Sequence, residues 1–363
     1  MSQLDPKKLK SSAVYKHDGI FYALCADARR GRLYAGSYDY GIHVFDLSVD
    51  KKEPVACWKA HDNYVSSLAF VDRGGSPRVI SASYDGKLIF WEGDSGKVLN
   101  TIDDAHRGWI REVVVFPGGD RVASVGDDLL VKVWDERSGK LLQVLEGHAQ
   151  KTPQGHVTAL YAVAVSPDGE VLASADRIGE VRIWESGSGK LLQTIQVPTL
   201  YTYDPVRRKR STGGIRAVSF SPDGELVAVG GIGQVSNVDG LIGPAHVEMW
   251  SWREPRRVAV GNASGHKAIL NDLVFHSEAD WLVGAGGGAD DGLIAFWDAR
   301  PTSESDPETE KSDGDAKKPD PFRHKVKADG HVHCLELNEA ASQLYAAGYG
   351  KLEVWEFQAA EEK

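Results

Sequence analysis

The chain predicts an all-β fold built from one repeated four-stranded unit. Three observations carry this. First, a phrase recurs: VKVWDERSGKLLQVLEGH (131–148) is nearly repeated as VRIWESGSGKLLQTIQVP (181–198). Its core returns as IHVFD at Phe45, LIFWE at Trp91, VKVWD at Trp134, VRIWE at Trp184, VEMWS at Trp250, IAFWD at Trp297 and LEVWE at Trp355. The copies lie 46, 43, 50, 66, 47 and 58 residues apart. A period of roughly 40–45 residues with insertions is the signature of a propeller blade. Second, each copy alternates apolar and polar residues over short runs bounded by Gly, Asp and Ser, which reads as strand. Third, no helical periodicity competes.

Within the Trp184 copy, TALYAVAV is a first strand and SPDG a turn. Pro167 suits the fixed φ of that turn, and Gly169 sits where a positive φ is called for. EVLASA, EVRIW and KLLQTI supply the second, third and fourth strands. Four short strands cannot bury a core alone, but such units packed face to face around an axis can. The expected fold is therefore a seven-bladed β-propeller of four-stranded antiparallel blades. The last copy ends at LEVWEF with only QAAEEK behind it, so it lacks a fourth strand. LKSSAVYK (9–16) precedes the first copy and belongs to no blade of its own. These residues are expected to join the last blade and close the ring. The chain then forms one domain, 1–363, with blades at about 17–60, 61–105, 106–148, 156–196, 211–263, 266–328 and 329–358.

On these motifs the chain resembles the WD-repeat β-propeller family over roughly residues 9 to 358. The resemblance implies a buried hydrogen-bonded set in each blade: a His before the first strand, a Ser on the second, an Asp in the next turn and a Trp on the third. His61, Ser81, Asp85 and Trp91 match it, as do His106, Ser124, Asp128 and Trp134. A buried indole N–H needs an acceptor, and the Asp–His pair ties a turn to a loop. Other copies depart. The Trp184 copy is read with His156 and Ser174, but Ile178 stands at the Asp position and Asp176 comes two residues early. The Trp250 copy has Ser211 for His and Pro244 for Asp, so its set should be lost. The Trp297 copy keeps His266 and Asp291 with Gly287 for Ser. The first copy keeps His17 and Asp39 with Phe45 for Trp, and the last has Tyr349 for Asp.

Composition narrows the function. No apolar run approaches the ~18 residues of a membrane span, so no membrane partner is expected. A net charge of −10 does not suit nucleic acid, which calls for a basic surface. Cys25, Cys57 and Cys334 show no CxxC and no cysteine–histidine ligand spacing, so neither a disulfide framework nor a metal site is expected, and the cytoplasm is the natural compartment. No cofactor is expected, and no Ser-His-Asp or carboxylate-pair constellation stands out for catalysis. A monomer is expected.

Insertions at 147–154, 196–214, 231–246 and 284–292 fall on the face the family resemblance makes the top, where long loops usually carry binding. Residues 301–321 are acidic, lack aromatics and large aliphatics, and read as a disordered loop on the other face. VRRKRS (206–211) is the one basic cluster and reads as a solvated loop. Position within the repeat aims Tyr38, Tyr84 and Asp127, each just before a turn Asp, toward the channel mouth. Residues one and three past the blade His add Asp62, Tyr64, Arg107 and Trp109, with Arg177 and Lys267 farther round. Aromatics and Arg carry most binding energy at interfaces. The expected function is a non-catalytic scaffold binding a protein or peptide on the top face. The alternative is a small-molecule or enzymatic site at the channel mouth. A second alternative for the rim is that the 196–214 and 231–246 insertions fold over it as a cap.

Overall fold

A computed structural model describes residues 4–206, 209–277, 280–299, 321–338 and 340–359. The acidic segment expected to be disordered, 301–321, lies outside them but for Pro321, as do Arg207 and Arg208 of the basic cluster. The first strands are β1 (Leu4–Asp27), β2 (Arg32–Ser37), β3 (Gly41–Asp46) and β4 (Ala56–Lys59). Four-stranded sheets then follow in succession. They are β5–β8 (Val65–Asp72, Pro77–Ser83, Leu88–Glu92, Val98–Ile102) and β9–β12 (Ile110–Val115, Arg121–Gly126, Val131–Asp135, Leu141–Leu145). Next comes β13–β16 (Leu160–Val165, Val171–Asp176, Glu180–Glu185, Leu191–Gln196), then a hairpin, β17 and β18 (Tyr201–Asp204, Arg210–Gly213). The last are β19–β22 (Ile215–Phe220, Leu226–Ile232, Pro244–Ser251, Arg256–Lys267) and β23–β26 (Ile269–Phe275, Trp281–Gly288, Asp291–Asp298, Phe322–Ala328). β27 (Val332–Leu337) and β28 (Gln343–Ala359) end the fold. The only helical element among the described residues is a 3-10 turn at Pro198–Leu200, so no helix there is long and apolar enough to cross a membrane.

The protein is an all-β propeller of four-stranded antiparallel blades. One sheet has six strands, in the order β27-β28-β1-β2-β3-β4. Its join is non-local. β28 pairs with β27 through Leu344–Gly348 and with the N-terminal half of β1 through Tyr349–Ala359. Lys10 faces Glu356, Tyr15 faces Leu352, and Leu4 faces Ala359. The pairing thus runs from residue 4 rather than 9. The first strands neighbour one another in turn, β1 beside β5, then β9, β13, β19, β23 and β27, and β27 lies beside β1. Aliphatic and aromatic residues from facing sheets fill the spaces between blades, as where Trp134 packs among Val71, Ile80 and Ile110.

Three blades are pinned alike. Trp91 Nε1 donates to Ser81 Oγ at 2.8 Å, Ser81 Oγ lies 2.7 Å from His61 Nε2, and His61 Nδ1 lies 2.9 Å from Asp85 Oδ2. The Trp134 blade repeats this through Ser124, His106 and Asp128 at 2.9, 2.7 and 2.8 Å. One proton assignment satisfies every group: Trp N–H to Ser, Ser O–H to His Nε2, His Nδ1–H to Asp.

The Trp184 blade corrects the sequence reading. Its histidine is His148, bonded to Ser174 at 2.8 Å and Asp176 at 3.0 Å, not His156, which packs near Tyr203. The inserted hairpin therefore follows the pinning histidine, closing with a Lys151–Val157 bridge. Asp176, at the end of β14, reaches the ring that a turn Asp reaches elsewhere. The Trp250 set is replaced, not lost: Glu248, 1% exposed, accepts from Trp250 Nε1 at 3.1 Å and meets His246 at 3.0 Å. In the Trp297 blade, Trp297 Nε1 and His266 Nε2 are buried without partners. Serine is barred from position 287 because a Cβ on Gly287 would lie 2.5 Å from the His331 ring. Asp291 does not take the turn role there. It pairs with Lys327 at 2.8 Å, while Asp290 caps the Lys267 N–H at 2.8 Å.

Three outcomes are expected. Ser124→Ala strands both Trp134 Nε1 and His106 Nε2 and should cost ~2–4 kcal/mol, read by denaturant unfolding. Trp134→Phe should cost about 1 kcal/mol more than Trp297→Phe, since only the first breaks a hydrogen bond; equal losses would show that the bonded set adds nothing. Deleting residues 1–16 uncovers β28 and opens the ring. It should give aggregation or a broad, low melting transition, and an unchanged melt would remove any stabilising role for this strand.

Candidate partner-binding surface

Each first strand carries one residue that its register skips. In sequence order these are Tyr22, Ser66, Arg111, Tyr161, Arg216, Asn271 and His333. A bulge re-aims a side chain, and all of these residues line the central channel, a cavity of about 270 Å³. The residue after the bulge often grips the next blade. Glu112 accepts from the Val163 N–H at 2.6 Å, Asp272 accepts from Leu335 at 2.7 Å, and Ser67 accepts from Val113 at 3.1 Å.

At one mouth of this channel the aromatics touch in series. Tyr40 and Tyr64 ring centroids lie 5.9 Å apart, as do Tyr64 and Tyr84. Tyr84 and Trp109 stack at 4.3 Å with planes 4° apart. Arg111 braces the stack, 5.1 Å from the Tyr84 ring and 4.6 Å from that of Trp109. It also donates to Asp127 Oδ1 at 2.8 Å and to the Tyr84 hydroxyl at 3.2 Å. Arg111 also lies 5.1 Å from the Tyr161 ring, over which the Arg216 guanidinium sits at 4.2 Å. Among the described residues no carboxylate lies within ion-pair distance of Arg216, and its Nε is buried without a partner. Burial lowers the pKa of this guanidinium, with Arg111 and Arg177 adding to the effect.

The residues singled out from sequence divide. Tyr64, Tyr84, Trp109 and Asp127 come together through Arg111. Trp109 is 43% exposed. Tyr38, 40% exposed, instead lays its ring over Gly19. Arg107 is exposed and lines a separate cleft with Asp104, Asp128 and Lys132. Arg177 donates to the Ser211 carbonyl at 3.2 Å, and Lys267 is exposed beside Asp290. The loop insertions pack on one another. Thr202 Oγ1 accepts from the Val235 N–H at 3.0 Å, Arg210 donates to the Val238 carbonyl at 2.9 Å, and the Tyr201 hydroxyl donates to Gln154. Sequence reasoning missed Tyr22, Tyr40, Arg111, Tyr161, Arg216 and His333. All but Tyr40 share a readable signal: the second residue of an apolar-X-small or apolar-X-polar triplet opening each first strand, as in Ile110-Arg111-Glu112.

Carboxyls deeper in the channel are strongly perturbed. Burial pushes Glu112 well above the usual range and Asp272 up to about 6. Glu336 rises to about 8, by burial first and then by the Asp272 carboxyl beside it.

The family described as "WD domain, G-beta repeat" matches residues 52–92, 96–135, 139–185, 204–240 and 258–298. These segments cover more than half of the chain, which therefore belongs to the WD40 family of repeat proteins. Among individual relatives, a stretch of 114 residues is 34% identical to nuclear distribution protein PAC1 of Arthroderma benhamiae, covering 30% of this chain and 24% of that protein. Small ribosomal subunit protein RACK1y of Oryza sativa subsp. japonica is 32% identical over 91 residues, 25% of this chain and 27% of that protein. The probable coatomer subunit beta' of Schizosaccharomyces pombe is 33% identical over 96 residues, 26% of this chain and 12% of that protein. The chain thus spans about a quarter or less of the length of these relatives.

The perturbed Glu336 gives a pH test. Its folded pKa lies above the unfolded value near 4.5. The stability it contributes is full below that unfolded value and is lost as pH rises through about 8. Glu336→Gln should therefore melt like the parent near pH 4 and above it at pH 9. A difference that does not grow with pH would contradict the raised carboxyl.

Proposed function

We propose that the protein is a non-catalytic interaction scaffold that holds a protein or peptide on the channel mouth formed by Tyr64, Tyr84, Trp109 and Arg111. We also read the six-stranded sheet as two blades. β1 serves as the outer strand of one with its N-terminal half and the inner strand of the next with the rest. This gives a seven-bladed ring, supported by the succession of neighbouring first strands and one bulge in each.

The observation that carries the functional reading is the stack of Trp109 on Tyr84, held rigid by Arg111 at an open rim. Preordered aromatics lose little entropy on binding, and exposed aromatic clusters mark contact sites. Arg216 adds chemistry. A cation facing the channel without a carboxylate suits an acidic group of the partner, which would gain a charge-assisted bond in a desolvated site. No hydrogen bond or ring contact among the described residues joins the interlocked insertions to the stack, and the exposure of Trp109 favours the open surface over a cap. The channel carboxylates Glu112 and Asp272 are spent on neighbouring backbone N–H groups, which favours architecture over catalysis for them. A reducing compartment such as the cytoplasm suits three free cysteines.

The test is affinity capture with the full chain, identification of the bound protein, and measurement of its Kd. Tyr84→Ala with Trp109→Ala should weaken that Kd by about 2 kcal/mol or more, with melting close to the parent. Unchanged binding would move the partner elsewhere, and a collapsed melt would make the stack a packing element.

A further inference from the structure

One blade departs from the pinning set in a way that assembles new chemistry. In the Trp91, Trp134 and Trp184 blades the turn or strand-end Asp binds the blade histidine through Nδ1. In the Phe45 blade Ala35 stands at the serine position; His17 Nε2 lies 3.1 Å from Ser37 Oγ, two residues farther along the strand, and Asp39 has turned away. Its carboxylate instead meets His43 Nε2, at 3.1 and 3.2 Å. His43 stands at the third-strand position that holds Ile89, Lys132 and Arg182 in the other blades. Directly across from it, β4 presents Cys57, whose Sγ lies 3.9 Å from the same His43 Nε2. Ligand atoms of His17, Asp39 and His43 lie within 4.8 Å of one another.

We propose that His17, Asp39, His43 and Cys57 form a binding site for a divalent transition-metal ion of the zinc class. Two imidazoles, one carboxylate and one thiolate are a donor set that such an ion takes tetrahedrally, and bonds of ~2.0–2.3 Å place donor atoms roughly 3.3–3.8 Å apart; Cys57 Sγ stands outside the 4.8 Å group and completes the set by a turn of its exposed side chain. The set also discriminates against Mg²⁺ and Ca²⁺, which take oxygen ligands. Ser37 bonds His17 Nε2, an outer partner of the kind metal-bound histidines usually have on their second nitrogen, which assigns Nδ1 to the ion. The bare Cα of Gly41 lets the donors crowd together: a Cβ there would lie 2.8 Å from Cys57 Sγ, and 3.3 Å from both Asp39 Oδ1 and Lys59 Cε, and would push them apart. Lys59, whose Nζ now lies 3.4 Å from Asp39, is a surface side chain and leaves by rotating into water. The other cluster of this kind, His148 with Asp176 and Glu180, is already filled. Arg182 and Gln196 take Glu180, and Ser174 takes the second nitrogen of His148. The sequence expectation of no metal rested on local spacing, whereas these four ligands meet only through strand pairing.

The proposal is independent of the partner surface and is tested without a partner. Full-length protein free of any histidine tag is titrated with Co²⁺ and then displaced with Zn²⁺. One equivalent should bind, with the d–d bands of a tetrahedral ion and a thiolate-to-cobalt charge-transfer band, and Zn²⁺ should slow alkylation of Cys57. Cys57→Ser, at an exposed position, should lose the charge-transfer band and bind at least tenfold more weakly. Gly41→Ala keeps every donor but pushes them apart, and should also lose at least tenfold. Melting of both variants without metal controls for folding. No binding by the parent protein, or binding unchanged in both variants, overturns the site.

Discussion

The hydrogen-bonded path from tryptophan through serine and histidine to aspartate sets much of the rest. Each group in it is buried, and each has one donor or acceptor that water can no longer serve. The path is directional, so a single proton arrangement satisfies all four residues in the Trp91, Trp134 and Trp184 blades. It clamps the third strand to the second and ties both to the loop entering the blade. That loop fixes where the first strand begins, and hence which residue falls in its bulge. Arg111 reaches Tyr84 and Trp109 because His106 and Asp128 have already placed the loop on which Trp109 stands.

Architecture and the proposed binding surface thereby fall to different residues of the same short segment. His106 turns inward to the set; Trp109, three residues on, turns outward to the rim. Where the set degrades, the chain substitutes in three ways. Glu248 supplies an acceptor from the third strand itself. The Trp297 blade leaves two polar atoms unpaired, because His331 of the adjoining blade occupies the space a serine needs. In the Phe45 blade both the indole and its serine are missing, with Phe45 and Ala35 in their places, and Asp39 bonds His43 instead of His17. Burial opposes its ionisation, but the hydrogen bond and charge of His43, with Ser37 and the Gly41 N–H, hold Asp39 at about 2. A carboxylate kept ionised among histidines thus accompanies the loss of the Trp–Ser pair.

Repetition made the strands and the pinning residues legible, because each copy tests the others. Trp91 and Trp134 could be aligned with Ser81 and Ser124 by counting alone. Counting failed in the Trp184 blade. His156 sits at the right distance from Trp184, yet the inserted hairpin lies after the histidine rather than before it, so His148 holds the set. Fixed spacing cannot say on which side of a residue a loop has grown. The aromatic rim was half legible for a related reason. Positions one and three past the histidine found Trp109 and Tyr64. The bulge residues were overlooked, since alternation assigns them to a strand face and a bulge breaks alternation. Tyr40 was hidden by its positive φ of 71°, which swings its ring toward Tyr64 in a way no strand pattern announces.

Closure makes the two ends of the chain one structural element. β1 contributes its N-terminal half to the sheet of β28 and its C-terminal half to that of β2, so no blade edge is left between the last repeat and the first. Most contacts elsewhere join residues less than one repeat apart; this pairing joins Leu4 to Ala359. Such contacts are costly to form, because the loop they close is nearly the whole chain, but the cost grows only as the logarithm of loop length. The gain is that every first strand has a neighbour on both sides, and the channel they enclose keeps one shape. A rigid mouth is the condition under which Tyr84 and Trp109 can present a fixed stack to a partner. The strand that closes the ring therefore sustains the candidate binding surface without contributing a residue to it.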